Sequence, residues 1–330
     1  KNLISQRFLY MRIVRKYGPN NLENSSLCFG TMQFGDGASE RDSHEMYEAC
    51  RNNEINFFDT AYVYTGGKSE EILGKLIKED RENIILVTKA GSVGGSSGQN
   101  IRSQLEESLK RLEQDYVDIF FLHHWDEEVP LEETFATLLE LKEEKKFFQL
   151  GVSNFSAWQV MKARLVAEKN GFPNIDILQP MYNLVKRQAE VEILPMAKSE
   201  NIGVISYSPL GGGLLTGKYD LENNTLNQNS SGRLHENAKY KLRYSQSWMF
   251  EAASKLQKLA RSIDQDPISL AVAWVLYNDA ITSPIISAKN LSQLKPSLKS
   301  IDIKLDLETY KMISDISPTP PPATDRLEEV

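Results

Sequence analysis

Asp59, Tyr64, Lys89 and His123 lie at or just beyond the ends of three successive apolar runs, and together they have the makings of a proton-delivery device. A tyrosine alone is a poor acid near neutrality, with an ordinary pKa of about 10. A neighbouring cation lowers that value; Lys89 can supply the charge, Asp59 can hold Lys89 by an ion pair, and His123 can orient a carbonyl oxygen. Reduction of a carbonyl is the chemistry this suits, because alkoxide charge develops as hydride arrives from a cofactor and needs a donor beside it.

Each of these residues alone has a plainer reading. A lone Asp or Lys at a strand end is usually solvated, and a lone His is usually structural. His123 is followed by His124, and because neighbouring strand residues face opposite sides, only one of the two is expected to enter a site. Placement favours the chemistry. Asp59 closes I-N-F-F-D (55–59), Lys89 closes I-I-L-V-T-K (84–89) and His123 closes V-D-I-F-F-L-H (117–123), so polar groups appear at the same end of each run. Parallel strands buried on both faces read as continuous apolar runs, and parallel α/β enzymes build their sites beyond the carboxyl ends of those strands.

The elements that must position these groups alternate along the chain. Strands are predicted at 27–30, 55–58, 84–88, 117–122, 147–152, 175–178, 203–206 and 284–286, and eight of them fit a closed (β/α)8 TIM barrel with its helices outside. Ile101, Leu105, Leu109 and Leu112 mark one face of a helix ending near residue 113, and Leu131, Phe135, Leu138, Leu139 and Leu141 mark the next. Ser39 with Asp42 is expected to open one helix, and Ser69 with the two glutamates after it another. About eighty residues separate Tyr207 from Ser287, far more than a βα connection needs, so an extended loop must follow strand 7. Its part from 220 to 245, rich in Asn, Ser and Gly, reads either as a lid over the catalytic end or as a tolerated insertion. Residues 1–10 read as an N-terminal extension before Met11, 11–316 as one domain and 317–330 as an extended Pro-rich tail.

Composition narrows the function class. The chain has 330 residues, 41% hydrophobic and 25% charged, which is ordinary globular material. It contains no run of bilayer length and no signal-peptide pattern, so no membrane partner is expected. Two cysteines outside any C-x-x-C point to a reducing, cytoplasmic setting. A net charge of −7 without a basic stripe argues against nucleic acid. No H-x-H or comparable spacing converges on the strand ends, so no metal is expected.

An ordered set of longer strings accompanies the four residues: G-T-M-Q-F-G (30–35), D-T-A-Y-V-Y (59–64), S-E-E-I-L-G (69–74), V-T-K (87–89), G-V-S-N-F (151–155), Q-P-M-Y-N (179–183), S-Y-S-P-L (206–210) and S-P-I-I-S-A-K (283–289). Spanning nearly the whole chain, this order resembles the aldo-keto reductases, (β/α)8-barrel oxidoreductases that use NADPH. The resemblance implies that Tyr64 rather than Tyr62 is the general acid, that Lys89 and Asp59 tune it, and that His123 binds and polarises the carbonyl. It implies a nicotinamide carboxamide near Ser153, Asn154 and Gln179 and a ring stacked on Tyr207. It also implies cofactor contacts along Gly30, Thr31, Met32 and Asp59 and along Ser208, Pro209, Leu210 and Gly211. Met32, Phe34, Tyr62 and Trp125 would form the substrate wall, with Trp125 open to the other reading of a structural plug.

The segment from Gly212 to Lys218 imitates a phosphate-binding P-loop but lacks the following Ser or Thr that would hold magnesium. In the resembling enzymes this loop lies against the pyrophosphate, which here implies Lys218 and Arg233 as its cover. At the adenosine end the family's usual G-A/S-R-x-x-x-Q-x-x-x-N is replaced by a stretch carrying Ser287, Lys289, Gln293 and Ser297. Lys289 can serve the 2′-phosphate without the two-pronged fork of Arg, Asn290 can cap a following helix, and Pro296 is expected to break that helix within two turns. NADPH with tolerance of NADH is therefore the expected cofactor, and a small carbonyl compound the expected partner. Some members of the resembling family are potassium-channel β subunits, which offers a cofactor-binding regulatory protein as the alternative.

Overall fold

All eight expected strands form in the computed structural model, which describes residues 13–219, 221–222, 225–226 and 232–329. They are β1 (Cys28–Gly30), β2 (Phe57–Asp59), β3 (Ile85–Ala90), β4 (Val117–Leu122), β5 (Phe147–Ser153), β6 (Ile175–Gln179), β7 (Gly203–Val204) and β8 (Ile285–Ile286). Every pairing is parallel, in the order β8-β1-β2-β3-β4-β5-β6-β7. The two edges meet through backbone bonds, Ile285 N–H donating to the Ser206 carbonyl at 2.8 Å and Thr282 N–H to the Val204 carbonyl at 2.8 Å. The sheet thus curls into the expected barrel, and the long excursion does follow its seventh strand.

Register decides which side chains meet. Cys28 pairs with both Ile285 and Phe57, Phe57 with Ile85, Val87 with Ile119, and Gly151 with both Phe121 and Ile177. Because side chains alternate along a strand, these register-matched positions all point inward. The interior is accordingly packed with Cys28, Phe57, Ile85, Val87, Ile119, Phe121, Ile177, Ile205 and Ile285. The residues alternating with them, such as Phe29, Phe58, Leu86, Phe120 and Leu178, form a second apolar layer with the outer helices. A short hairpin pairing Lys16–Tyr17 with Leu22–Glu23 puts Tyr17 into the interior cluster, its ring 5.6 Å from that of Phe57.

Gly151 is required by close approach. A Cβ there would lie 2.5 Å from Phe121 ring carbons. Gly151→Ala is expected to destabilise the barrel by about 1–3 kcal/mol through overpacking, read as a lower urea midpoint with an unchanged slope.

The outer helices are α1 (Glu40–Asn52), α2 (Lys68–Ile77), α3 (Gly98–Leu112), α4 (Leu131–Glu143), α5 (Ala157–Asn170), α6 (Ile193–Ser199), α7 (Arg233–Glu236), α8 (Ala238–Arg243), α9 (Ser247–Ser262), α10 (Pro267–Leu276), α11 (Leu291–Leu298) and α12 (Leu307–Ser314). Ser39 caps α1 as expected, accepting from Asp42 N–H. Ser69 does not cap α2. The cap is Gly67 in the left-handed region at φ 99°, and Ser69 lies one residue inside with its hydroxyl buried. Pro296 does not stop α11, which continues to Leu298 and into a 3-10 turn; Asn290 caps its start, accepting from Gln293 N–H at 3.1 Å. A proline at the sixth helical position removes one late intrahelical bond, and in so short a helix that loss is tolerated. Its carbonyl instead accepts from Ser269 Oγ at 2.6 Å.

The expected N-terminal extension lies outside the described residues, as does most of 220–231. At the other end Arg187 donates to the carbonyls of Ser314 and Ser317, holding the root of the Pro-rich stretch. Among the described residues no helix is long and apolar enough to cross a membrane.

Candidate active site

The inward register of each strand delivers a polar group to the carboxyl end of the barrel. Asp59 continues Phe57, Lys89 continues Ile85 and Val87, His123 continues Ile119 and Phe121, and Gln179 continues Ile177. Lys89 is wholly buried and Asp59 2% exposed. The Lys89 ammonium donates to Asp59 Oδ2 at 2.7 Å, to the Thr60 carbonyl at 2.6 Å and to the Tyr64 hydroxyl at 3.4 Å. Those are its three protons, each with an acceptor. His123 meets Tyr64 edge to face, with ring centroids 6.0 Å apart. The four residues therefore converge as expected.

One physical expectation about them is overturned. Tyr64 is not more acidic than an ordinary tyrosine. Burial pushes its pKa up to about 12, outweighing the downward pull of Lys89. Lys89 is held above its ordinary value although burial alone would depress it, because the Asp59 carboxylate and the Tyr64 hydroxyl favour the ammonium. His123 and His124 both lie beyond β4, and their rings stack at 4.9 Å with planes 5° apart. His123 is nonetheless the inner one, with a buried Nδ1 that has no hydrogen-bond partner among the described residues. Burial, then Lys89, pull its pKa down to about 3, so it is a neutral imidazole at ordinary pH.

Supporting bonds that the amino-acid pattern did not reveal fix this geometry. Gln179 Nε2 donates to Asp59 Oδ1 at 2.8 Å, so the carboxylate is held from both sides. Thr31, Thr60 and Ser69 form a buried hydroxyl cluster: Ser69 Oγ is 2.7 Å from Thr31 Oγ1 and 2.9 Å from Thr60 Oγ1, and donates to the Thr31 carbonyl at 2.9 Å. Thr31 N–H donates to the Asp59 carbonyl at 2.9 Å. The Thr31 side chain is thus wholly buried in bracing β2, a correction to its expected place against a cofactor. Behind β3, Thr88 donates to Glu70 at 2.6 Å, and Glu70 accepts from Arg111 at 3.1 Å. Arg111 also lies 4.5 Å from the centre of the Tyr62 ring and donates to the Tyr62 carbonyl, while it is the Tyr64 hydroxyl that meets the Lys89 ammonium.

The remaining expected residues divide into three groups. Near the tetrad, Ser153 Oγ donates to the Gln179 carbonyl at 2.9 Å, Asn154 Nδ2 to Ser153 Oγ and to the His123 carbonyl, and the Tyr207 hydroxyl to Asn154 Oδ1 at 2.8 Å. Asn154 and Ser208 both hold φ near 60°, a left-handed strain in non-glycine residues. Gly30 lies at the β8 seam, where a Cβ would meet Ile285 at 2.8 Å. Met32 is half-buried, but Phe34 is wholly buried against Phe29 and presents no surface to a substrate, a second correction. Trp125 packs edge-on against Phe155 at 5.2 Å and Trp158 at 5.6 Å, with a buried indole Nε1 that has no partner among the described residues.

Farther out, Gly211–Thr216 forms two 3-10 turns joined at Gly212 and Gly213, with φ of 66° and 96°. No helix begins at Gly217, Lys218 or Tyr219, so the P-loop likeness is confined to spelling. Pro209 and Leu210 lead into this turn, and Tyr240 overlies it so closely that a Cβ on Gly212 would meet its ring at 2.7 Å. Lys218, Arg233 and Lys289 gather beyond it. Partial burial and then the charge of Lys289 depress the Lys218 ammonium, and Lys289 pairs with Glu236 at 3.5 Å. Ser287 Oγ is buried without a partner among the described residues, while Gln293 accepts from Lys289 N–H at 3.2 Å. Ser297, expected in the place of an adenine-contacting Asn, is a buried residue of α11 itself. Three cations, an unpartnered hydroxyl and a turn of left-handed glycines fit the phosphates of a dinucleotide.

Comparison with known proteins agrees with this geometry. Residues 26–318 match the model of the Aldo/keto reductase family. This chain belongs to the aldo-keto reductase family. It is 34% identical over 325 residues to the uncharacterized oxidoreductase YrpG of Bacillus subtilis (strain 168), covering 92% of this chain and 95% of that one. It is 32% identical over 290 residues to aflatoxin B1 aldehyde reductase member 2 of Rattus norvegicus, covering 83% and 79%. It is 31% identical over 300 residues to a probable voltage-gated potassium channel subunit beta of Arabidopsis thaliana, covering 88% and 91%. The Asp59, Lys89 and Tyr64 network resembles the catalytic tetrad of the aldo-keto reductases and is consistent with an oxidoreductase that reduces carbonyls with a nicotinamide cofactor.

Proposed function

We propose that this aldo-keto reductase is an NADPH-dependent reductase of aldehydes or ketones, with Tyr64 as the proton donor. Its reductase domain spans 11–316, flanked by the segments 1–10 and 317–330, and its setting is the cytoplasm. The observation that carries the reading is the Lys89 ammonium held between Asp59 Oδ2 at 2.7 Å and the Tyr64 hydroxyl at 3.4 Å.

Residues that would hold the cofactor are Ser153, Asn154, Gln179 and Tyr207 at the nicotinamide, Ser208–Gly211 with Lys218 and Arg233 at the pyrophosphate, and Ser287, Lys289 and Gln293 at the adenosine end. When bound, the cofactor supplies the hydride. The protein supplies orientation and a proton. His123, neutral and with ring nitrogen to spare, donates to the substrate carbonyl oxygen and draws charge onto it. As alkoxide charge grows on that oxygen, the Tyr64 hydroxyl passes its proton across, and Lys89 stabilises the tyrosinate left behind. Lys89 cannot itself be the acid of choice, because Asp59 favours its charged form. A tyrosine whose pKa is raised in the resting site becomes a competent donor only when negative charge develops beside it, so proton transfer is tied to hydride arrival.

The pH dependence follows from the two shifts. Reduction needs Tyr64 protonated and His123 neutral, which holds below about 12 and above about 3 respectively. Reductive kcat is therefore expected to be flat from about pH 5 to about pH 9, while alcohol oxidation, which needs tyrosinate, rises with pH across that range. A reductive limb falling through pH 6.5 would show that His123 titrates normally.

The reading is tested by NADPH oxidation against a panel of aromatic and short-chain aldehydes. Resemblance to a potassium channel β subunit supports a second reading, a cofactor-binding regulatory protein, which would gain if NADPH bound tightly and no carbonyl of the panel were turned over. For the adenosine end, Lys289→Ala is expected to weaken NADPH binding about 10-fold and NADH binding less than twofold, measured by fluorescence titration. Equal losses would remove Lys289 from the 2′-phosphate, and a wild type already blind to that phosphate would make the cofactor NADH.

A further inference from the structure

Although the chain carries a net charge of −7, three cations gather beside one pair of tyrosines with no ion-pair partner among the described residues. Tyr240 and Tyr244 stack with centroids 6.4 Å apart and planes at 29°. The guanidinium carbons of Arg233 and Arg243 lie 4.9 and 5.1 Å from the centre of the Tyr240 ring, and Lys186 Nζ lies 5.8 Å from that of Tyr244. Among the described residues none of the three has a carboxylate within 4 Å, whereas Lys289 has Glu236. Lys186 and Arg243 are both half-buried, where an unneutralised charge is unfavourable.

The cluster is tied to the catalytic mouth. Tyr244 is wholly buried, and its hydroxyl accepts from Asn183 Nδ2 at 3.2 Å, the same amide that donates to the Ser208 carbonyl. Met181 bridges Tyr207 on the adjacent strand end. Fields at the mouth register the same short helix: Arg243 counts among the charges that pull the Tyr207 hydroxyl down against its burial, and Lys239 among those that depress His124 after burial. Arg233 adjoins Lys218 through Gly232 and belongs with the phosphate end. Lys186 and Arg243 are then left over, on the side of Tyr207.

Resting on the reductase reading, we infer that Lys186 and Arg243 form an anion subsite at the mouth that selects carbonyl substrates bearing a carboxylate distant from the reacting carbon. The planar guanidinium of Arg243 offers a two-pronged fork to a carboxylate, the Lys186 ammonium adds a mobile point charge, and the half-buried Tyr240 ring, backed by Tyr244, supplies an apolar surface for the substrate's body. An anionic group would neutralise charge that no described carboxylate pairs, and positive potential at the mouth of an acidic protein would draw such substrates in.

The test compares 4-carboxybenzaldehyde with its methyl ester in steady state, using the full chain and saturating NADPH. Wild type is expected to favour the acid by about 10-fold or more in kcat/KM, chiefly through KM, and Lys186→Met/Arg243→Met is expected to bring that ratio close to one. Arg243→Lys should keep part of the preference, which a merely structural arginine would not predict. Equal use of acid and ester by wild type, or a preference that survives the double variant, overturns the inference. So does a double variant that loses NADPH affinity while keeping its acid-to-ester ratio, since the pair would then serve the cofactor. If neither aldehyde is turned over, the reductase reading fails separately, and the subsite is judged by calorimetric titration of the NADPH-loaded protein with terephthalate. Binding that weakens at least about 10-fold in the double variant upholds it, and no binding by wild type overturns it.

Discussion

Tyr64→Phe is expected to lower kcat for aldehyde reduction by about three to four orders of magnitude while leaving the affinity for NADPH within about twofold. The phenylalanine keeps the ring that meets His123 edge to face and removes only the oxygen 3.4 Å from Lys89. Loss should therefore fall on kcat and not on folding, and a thermal melt of the variant should match wild type. Tyr62→Phe is the control, because its ring is covered by Arg111 and its hydroxyl has no part in the network. If the two variants lost activity equally, or Tyr64→Phe kept near-normal turnover, the assignment of the proton donor would be wrong.

Lys89→Met should be damaging in two ways at once. With the ammonium gone, the tyrosinate formed at Tyr64 loses its stabilising charge, and kcat is expected to fall by about 10³ or more. Asp59 would remain buried with Gln179 as its side-chain partner, and breaking a buried ion pair by removing one member costs about 3–5 kcal/mol. A double variant, Lys89→Met with Asp59→Asn, removes both charges and should recover most of the lost stability but none of the lost rate. Urea unfolding and single-turnover kinetics on the two variants separate the effects. Recovery of rate in the double variant would mean that Lys89 acts only by neutralising Asp59.

Much of the frame is legible in the amino-acid pattern because burial on both faces of a parallel strand leaves no polar positions to confuse it. Runs such as V-D-I-F-F-L and I-I-L-V-T stand out, and their ends name the site. The one interior polar residue in the first run, Asp118, faces outward to Arg81 at 2.9 Å and does not disturb the reading. Short local rules were less dependable. Ser69 had the composition of a helix cap, yet its hydroxyl is used by Thr31 and Thr60 from distant strands. Pro296 had the look of a helix stop, yet a helix that was about to end had little to lose.

Phe34 and Thr31 failed as mouth residues for one reason. They share a string with the site, but packing against Phe29 and hydrogen bonding to Asp59 and Ser69 turn both side chains into the fold. Adjacency in the chain carries no information about which way a loop residue faces once the period of two has ended.

By itself the amino-acid sequence determined the eight strands, their common polar end, the choice of Asp59, Tyr64, Lys89 and His123, and the family. These follow from period, residue type and order, which a linear chain displays. Tertiary structure decided the rest: Gln179 on Asp59, the Thr60 carbonyl on Lys89, a raised rather than lowered tyrosine pKa, and the gathering of Lys186 and Arg243 over the Tyr240 and Tyr244 rings. Each depends on how much water is excluded and on which groups from remote segments meet, and neither quantity exists until the barrel closes.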